Sequence, residues 1–394
     1  MLHRFYSSFT NRCRGASRLN LSRGLALGLV GLSLAASLQA QELQADLNEQ
    51  IVMVPKKGVI FTAELETTVF KPTGDGPFPV VIINHGKAFG DSRFQARYRP
   101  LGPARFFLSR GYAVVVPMRQ GFSKSSGAYI SGGCNVESNG RVQAEDVTAV
   151  VDWLGKQTWA HPEQRLVMGQ SHGGWTTLAF GASGQSGVKG LVNFAGGLRQ
   201  DSCANWEGSL GRAAGQFGKE TTLPSLWFYG DNDSFFSPTT FRPMFEQYKA
   251  GGSKAELVAF GSFGSDAHSM FGSRDGERIW QNKVSAFMTT LGLPTAITQP
   301  HFAQFVRMPV PPPSNFAGIN EVERVPFLNE AARQGYKTFL TKQVPRAFVV
   351  APNGAWSWHE MGDDPLKRAL DTCNRHAAGK CKPYAVDDAV VWTN

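Results

Sequence analysis

No apolar run in these 394 residues reaches the roughly 20 needed to cross a bilayer as a helix. The nearest approach, LALGLVGLSLAASL from Leu25 to Leu38, is too short to span comfortably. It follows five arginines in a forty-residue stretch that holds no acid, and it ends in Gln-Ala before Gln41. That arrangement reads as a secretory signal peptide over 1–40, cut after Ala40, which predicts a periplasmic or secreted protein with no stable membrane span after signal removal.

Charge of one sign is also scarce. Without the signal, 35 basic residues face 31 acids, a net charge of about +4 instead of +9, too small and too evenly spread to argue for nucleic acid. Cys-x2-Cys spacing is absent, which speaks against a zinc site; no metal and no cofactor is expected. Once Cys13 leaves with the signal, Cys134, Cys203, Cys373 and Cys381 remain, an even number suited to an oxidising compartment. Four cysteines allow three pairings. Cys134 with Cys203 and Cys373 with Cys381 is favoured because each pair then lies within one structural region. Internal repeats and low-complexity tracts are lacking, and 42% hydrophobic content with 18% charge excludes a disordered or fibrous chain.

What is present, from Ile51 to about Pro294, is an alternation of short apolar runs with helical patterns. VVIINHG (80–86), YAVVVP (112–117), RLVMG (165–169), GLVNFAGG (190–197), PSLWFYG (224–230) and AELVAFG (255–261) are continuous rather than alternating, as in strands buried on both faces of a parallel sheet. Helices are predicted over 99–111 and 144–157, the second with Val147, Val150, Val151 and Leu154 on one face. IFTAELETTVF alternates more and predicts an antiparallel edge. The result is an α/β domain over 41–294, built from βα units. Five prolines from Pro300 to Pro313 then suit an extended linker over 295–314. A small α+β unit follows over 315–394: helices in LNEAARQGYKTFLTK and in DPLKRALDTC, the latter capped by Asp364 with Pro365 first, and strands in RAFVVAP and YAVDDAVVW. Trp356, Trp358 and Trp392 are expected to serve as its core rather than as a carbohydrate-facing surface.

In an open parallel sheet, reactive groups gather beyond the carboxyl ends of the strands. Those positions hold His85, Gly86 and Lys87 after VVIIN, Ser171 in RLVMGQSHGGW, Asp231 to Asp233 after SLWFYG, and His268 after AELVAFG. Serine, acid and histidine thus arrive in one chain order at three strand ends. A serine hydroxyl needs a base to take its proton, and the glycines flanking Ser171 permit a tight exposed turn. His268 is read as that base and Asp233 as the group that orients it, with Asp231 in reserve. Backbone N–H groups of His172 and Lys87 would form an oxyanion hole. Of the other histidines, His85 is read as loop support, His172 as pointing away from the serine, His161 as a turn residue, and His301, His359 and His376 as lying in the linker or the small unit. Lys87 and Arg119 are read as solvated charges.

These motifs, in this order over roughly 50–293, resemble the dienelactone hydrolase branch of the α/β-hydrolases, near the prolyl-oligopeptidase-like esterases. The resemblance implies an α/β-hydrolase fold, a mostly parallel central sheet with helices on both faces, and places the acid on Asp233. Dienelactone hydrolase itself uses cysteine where this chain has Ser171, so the resemblance implies ester chemistry on a small-molecule ester substrate rather than that enzyme's own substrate. The expected activity is an exported serine hydrolase acting through an acyl-enzyme. A prolyl-oligopeptidase-like peptidase and an inactive envelope-binding protein are the alternatives; no propeller pattern accompanies the motifs. Two insertions, 121–141 and 196–218, flank the site, and a Cys134–Cys203 bridge would tie them over it.

Overall fold

The computed structural model describes residues 43–58, 61–304, 308–342, 344–360 and 364–393, so the expected signal peptide lies outside the described residues. Strands β1 (Glu49–Lys57), β2 (Thr62–Phe70), β3 (Phe78–Asn84), β4 (Ala113–Pro117), β5 (Ala160–Gln170), β6 (Val188–Phe194), β7 (Ser225–Tyr229) and β8 (Ala255–Ala259) form one sheet in the order β1-β2-β4-β3-β5-β6-β7-β8. β2 runs antiparallel to both its neighbours, and every pairing from β4 to β8 is parallel. The apolar runs are continuous because successive residues are buried on opposite faces: Val80 and Ile82 belong to one core, Val81 and Ile83 to the other. On the first face pack α2 (Val136–Leu154), α3 (His172–Gly181), α4 (Trp206–Glu220) and α5 (Pro238–Ala250); on the second pack α1 (Leu101–Leu108) and α6 (Glu277–Thr290). The sheet order reverses at β3, which has β4 on one side and β5 on the other, so the loops after β3 and β5 diverge from a crevice at their carboxyl ends.

Several elements differ from the sequence reading. α2 begins at Val136, eight residues before its expected start, because Asn135 caps it by accepting from the Ser138 N–H at 2.9 Å. Most of the second insertion is α4, whose helical pattern is obscured by Gly208, Gly211, Gly215 and Gly218. A Cβ on Gly218 would sit 2.0 Å from the Tyr248 carbonyl oxygen, so glycine there serves the close approach of α4 to α5 despite its poor helix propensity. Residues at the start of the proline-rich stretch are anchored: the Thr298 and Gln299 N–H groups donate to the Ser109 carbonyl, and Phe302 is buried in the second core.

Beyond it, β9 (Arg346–Val350), β10 (Trp356–Glu360), β11 (Lys382–Val386) and β12 (Ala389–Val390) make an antiparallel sheet in the order β10-β9-β11-β12. α7 (Glu330–Leu340) covers one face through Tyr336 and Phe339, and α8 (Pro365–Ala377) covers the other through Leu366, Ala369 and Cys373. Trp392 is buried in this core, with Trp356 and Trp358 packed against it half-buried. Among the described residues no helix is long and apolar enough to cross a membrane.

Candidate active site

Ser171 occupies the single-residue turn between β5 and α3 with φ 56° and ψ −126°, a backbone conformation that L residues rarely adopt. Packing holds it there. The Ser171 N–H donates to Phe194 O at 2.9 Å, and its carbonyl accepts from Trp175 N at 3.1 Å and Gly197 N at 3.2 Å. The flanking glycines act through space: a Cβ on Gly173 would lie 2.1 Å from Asn84 O, and one on Gly169 would lie 2.3 Å from Gly173 O. Only without those carbons can the first turn of α3 press against the end of β3. Gly86 passes over the serine, where a Cβ would stand 3.3 Å from the Ser171 Cβ.

Asp233, buried after β7, accepts from Phe235 N at 2.8 Å and Phe236 N at 2.9 Å, and its two oxygens stand 3.1 and 3.0 Å from His268 Nδ1. A carboxylate only accepts, so Nδ1 carries the proton of this bond and Nε2 takes no part in it. The ring is fixed from behind, with the His268 N–H donating to Asp266 Oδ1 at 2.9 Å and the Gln170 amide donating to His268 O at 2.7 Å. Asp231, 48% exposed, faces Arg242 at 3.8 Å instead. Among the described residues neither the His172 nor the Lys87 backbone N–H has a hydrogen-bond acceptor; the first opens a helix and the second follows β3. Cys134 and Cys203 are joined, Cα to Cα 5.6 Å, and beside them Gln200 donates to Gly133 O at 3.1 Å. Cys373 is joined to Cys381.

Arg119 corrects the sequence reading: it is not a solvated charge but fully buried. Its Nη1 donates to His85 O at 2.7 Å, its backbone N–H to His85 Nε2 at 3.0 Å, its Nε to Gln143 Oε1 at 3.1 Å, and its Nη2 to His172 Nδ1 at 3.0 Å. His172 Nε2 then donates to Asn139 Oδ1 at 2.8 Å. One guanidinium thus supports both the loop carrying Lys87 and the residue after the serine. Burial, and then the Arg119 charge, hold both imidazoles well below their usual range, and burial brings Arg119 itself down to about 10 against the pull of Asp146 and Tyr129. Asp146 pairs with Lys56 at 2.7 Å. The signal in the sequence was polar spacing: Asn139, Gln143 and Asp146 recur at helical intervals on a buried face of α2.

Lys87 is half-buried, its ammonium donating to Ala88 O and Gly90 O of its own loop, both at 3.2 Å. His85 Nδ1 lies 2.6 Å from Gly86 O, bracing the same loop.

Residues 62–236 match the family described as X-Pro dipeptidyl-peptidase (S15 family). No curated protein matches the chain. Among solved structures, the chain is similar to the Pyrococcus furiosus esterase Pf2001, with 17% identity, TM-score 0.46, and coverage of 63% of this chain and 92% of that one. It is similar also to an esterase from Thermogutta terrifontis, with 16% identity, TM-score 0.44, and coverage of 64% and 98%. Likeness to Porphyromonas gingivalis dipeptidyl peptidase 4, at 14% identity and TM-score 0.47, takes in 61% of this chain but about a third, 35%, of that one. In strand order, in strand direction and in the serine-bearing turn between β5 and α3, the chain has the α/β-hydrolase fold, and its segment 62–236 is similar to the S15 peptidases.

Proposed function

We propose that this chain is an exported serine hydrolase that cleaves carboxylic esters through an acyl-enzyme, with Ser171 as nucleophile, His268 as base and then acid, and Asp233 as the group that orients the imidazole. The observation that carries this reading is the buried Asp233–His268 pair at 3.0 Å beyond two strand ends, fastened through Gln170 to the segment that holds Ser171 in a strained turn. In the first step Ser171 Oγ bonds to the acyl carbon while His268 Nε2 takes the hydroxyl proton. The carbonyl oxygen becomes an anion facing the His172 and Lys87 N–H groups; one such donor contributes about 3 kcal/mol to stabilising the transition state. As the intermediate collapses, the ester C–O bond breaks and the alkoxide takes the proton from His268. Water then repeats the sequence on the acyl-enzyme. No step requires a metal or cofactor. The two disulfides support export.

A fluorophosphonate probe tests this. Labelling lost in Ser171→Ala is expected, and an unlabelled folded protein would overturn the reading. A second reading, a peptidase, is supported by the S15 match over 62–236. A panel of p-nitrophenyl esters against dipeptide amides separates the two, with turnover of the esters alone expected.

A further inference from the structure

Phe89 is 90% exposed, an unusual setting for a large apolar ring, and it lies two residues beyond Lys87. It is not on a loose loop. Gln95 accepts from the Ala88 N–H at 3.1 Å and donates to the Ala88 carbonyl at 2.9 Å, so both main-chain groups of the preceding residue are fixed. The Phe89 ring stacks on Phe235 with centroids 6.0 Å apart and planes 29° apart, and Phe235 in turn lies 4.4 Å from the His268 ring. Phe235 is equally constrained, because its N–H donates to Asp233 and its neighbour Ser234 donates to Asp266. A row of rings therefore runs from solvent to the imidazole, bridging the loop after β3 and the loop after β7.

We propose that Phe89 and Phe235 form an aromatic platform for the leaving-group side of the substrate, selecting esters whose alcohol portion carries a neutral aryl ring. This rests on the serine-hydrolase reading above. The imidazole delivers its proton to the departing alkoxide, so the part of the substrate beside His268 when the C–O bond breaks is the alcohol. Nearby charges are already partnered: the Lys87 ammonium is held by Ala88 O and Gly90 O, and the Asp266 carboxylate by Ser234 and the His268 N–H. What the platform offers a ligand is ring face, which suits an offset-stacked aromatic group.

The test compares kcat/KM for benzyl acetate and ethyl acetate, which share an acyl group, using the full chain. Wild type is expected to prefer the benzyl ester. Phe89→Ala should lower the benzyl-to-ethyl ratio about tenfold, Phe89→Leu should lower it nearly as far, and Phe89→Tyr should keep it. A ratio within twofold of wild type in Phe89→Ala overturns the platform, and full retention by Phe89→Leu overturns the requirement for an aryl group. Fluorophosphonate labelling of Ser171 separates the levels: labelled enzyme that hydrolyses both esters without preference loses only the platform, while absent labelling overturns the hydrolase reading and the platform with it.

Discussion

Gln170, the residue before the serine, donates its side-chain amide to the main-chain oxygen of His268 at 2.7 Å. The segment carrying Ser171, the proposed nucleophile, and the segment carrying His268, the proposed base, are thereby fastened to each other through a bond that involves neither the Ser171 hydroxyl nor the imidazole ring. Gln170→Ala should lower kcat about tenfold with KM nearly unchanged, since the bond positions a reacting group and touches no substrate. Steady-state kinetics on one ester checks this; an effect confined to KM would contradict it.

The acid assignment is open to a paired substitution. Asp233→Asn replaces one accepting oxygen with a donating amide, so the His268 tautomer is no longer fixed, and should lower kcat by about 10³–10⁴-fold. Asp231→Asn alters an exposed group facing Arg242 and should change turnover less than twofold. The reverse pattern would move the acid two residues back.

Arg119 should act without touching substrate. Arg119→Gln leaves His85 O and His172 Nδ1 without their donor inside a buried network, a loss of about 3–5 kcal/mol of stability. Arg119→Lys keeps the charge but cannot reach His85, Gln143 and His172 together, and should lower kcat while unfolding later than Arg119→Gln in a thermal melt.

The same network sets a pH dependence. His85 and His172 titrate well below the usual imidazole range when folded, so above about pH 6.5 neither the folded nor the unfolded chain protonates them. Below that, the unfolded chain takes up the protons and the folded one does not. Stability falls with falling pH, by up to about 1.4 kcal/mol per unit for each histidine. His359, lowered to about 4 mainly by burial, adds to the trend in the tail. Urea unfolding at pH 7, 6 and 5 should show the decline, and His172→Gln should make it shallower.

The two disulfides should separate stability from activity. On the chain-entropy account, closing a separation of 69 residues stabilises by about 4 kcal/mol and closing 8 by about 2.5. Cys134→Ser with Cys203→Ser should lower the melting temperature and change substrate preference, because both loops leave the crevice edge. Cys373→Ser with Cys381→Ser should leave ester hydrolysis nearly intact.

The sheet was legible because burial on both faces forces continuous apolar runs, and β4, β7 and β8 lie within the segments so read, while β3 begins two residues earlier. The candidate residues were legible because the parallel strands, β3 to β8, have their carboxyl ends on one side. α4 escaped because its glycines answer to α5, a neighbour that local sequence does not reveal. β10 escaped because its two tryptophans alternate with Ser357 and His359 in a short edge strand that resembles a loop. Arg119 escaped for a related reason: nothing beside it in the sequence announces that two histidines, an amide and a helix face converge on its guanidinium.

With Ser171 as the proposed nucleophile, its left-handed backbone sets folding against chemistry at a single position. Glycine populates that region freely, whereas a serine is held there only because the surrounding hydrogen bonds and close-packed strand ends impose it. Ser171→Gly should therefore be inert yet at least as resistant to denaturation as the active protein, unlike most core substitutions. A lineage released from the need for a nucleophile would drift toward glycine at this turn while keeping the sheet, so the residue found there in related chains records whether the hydroxyl is still in use.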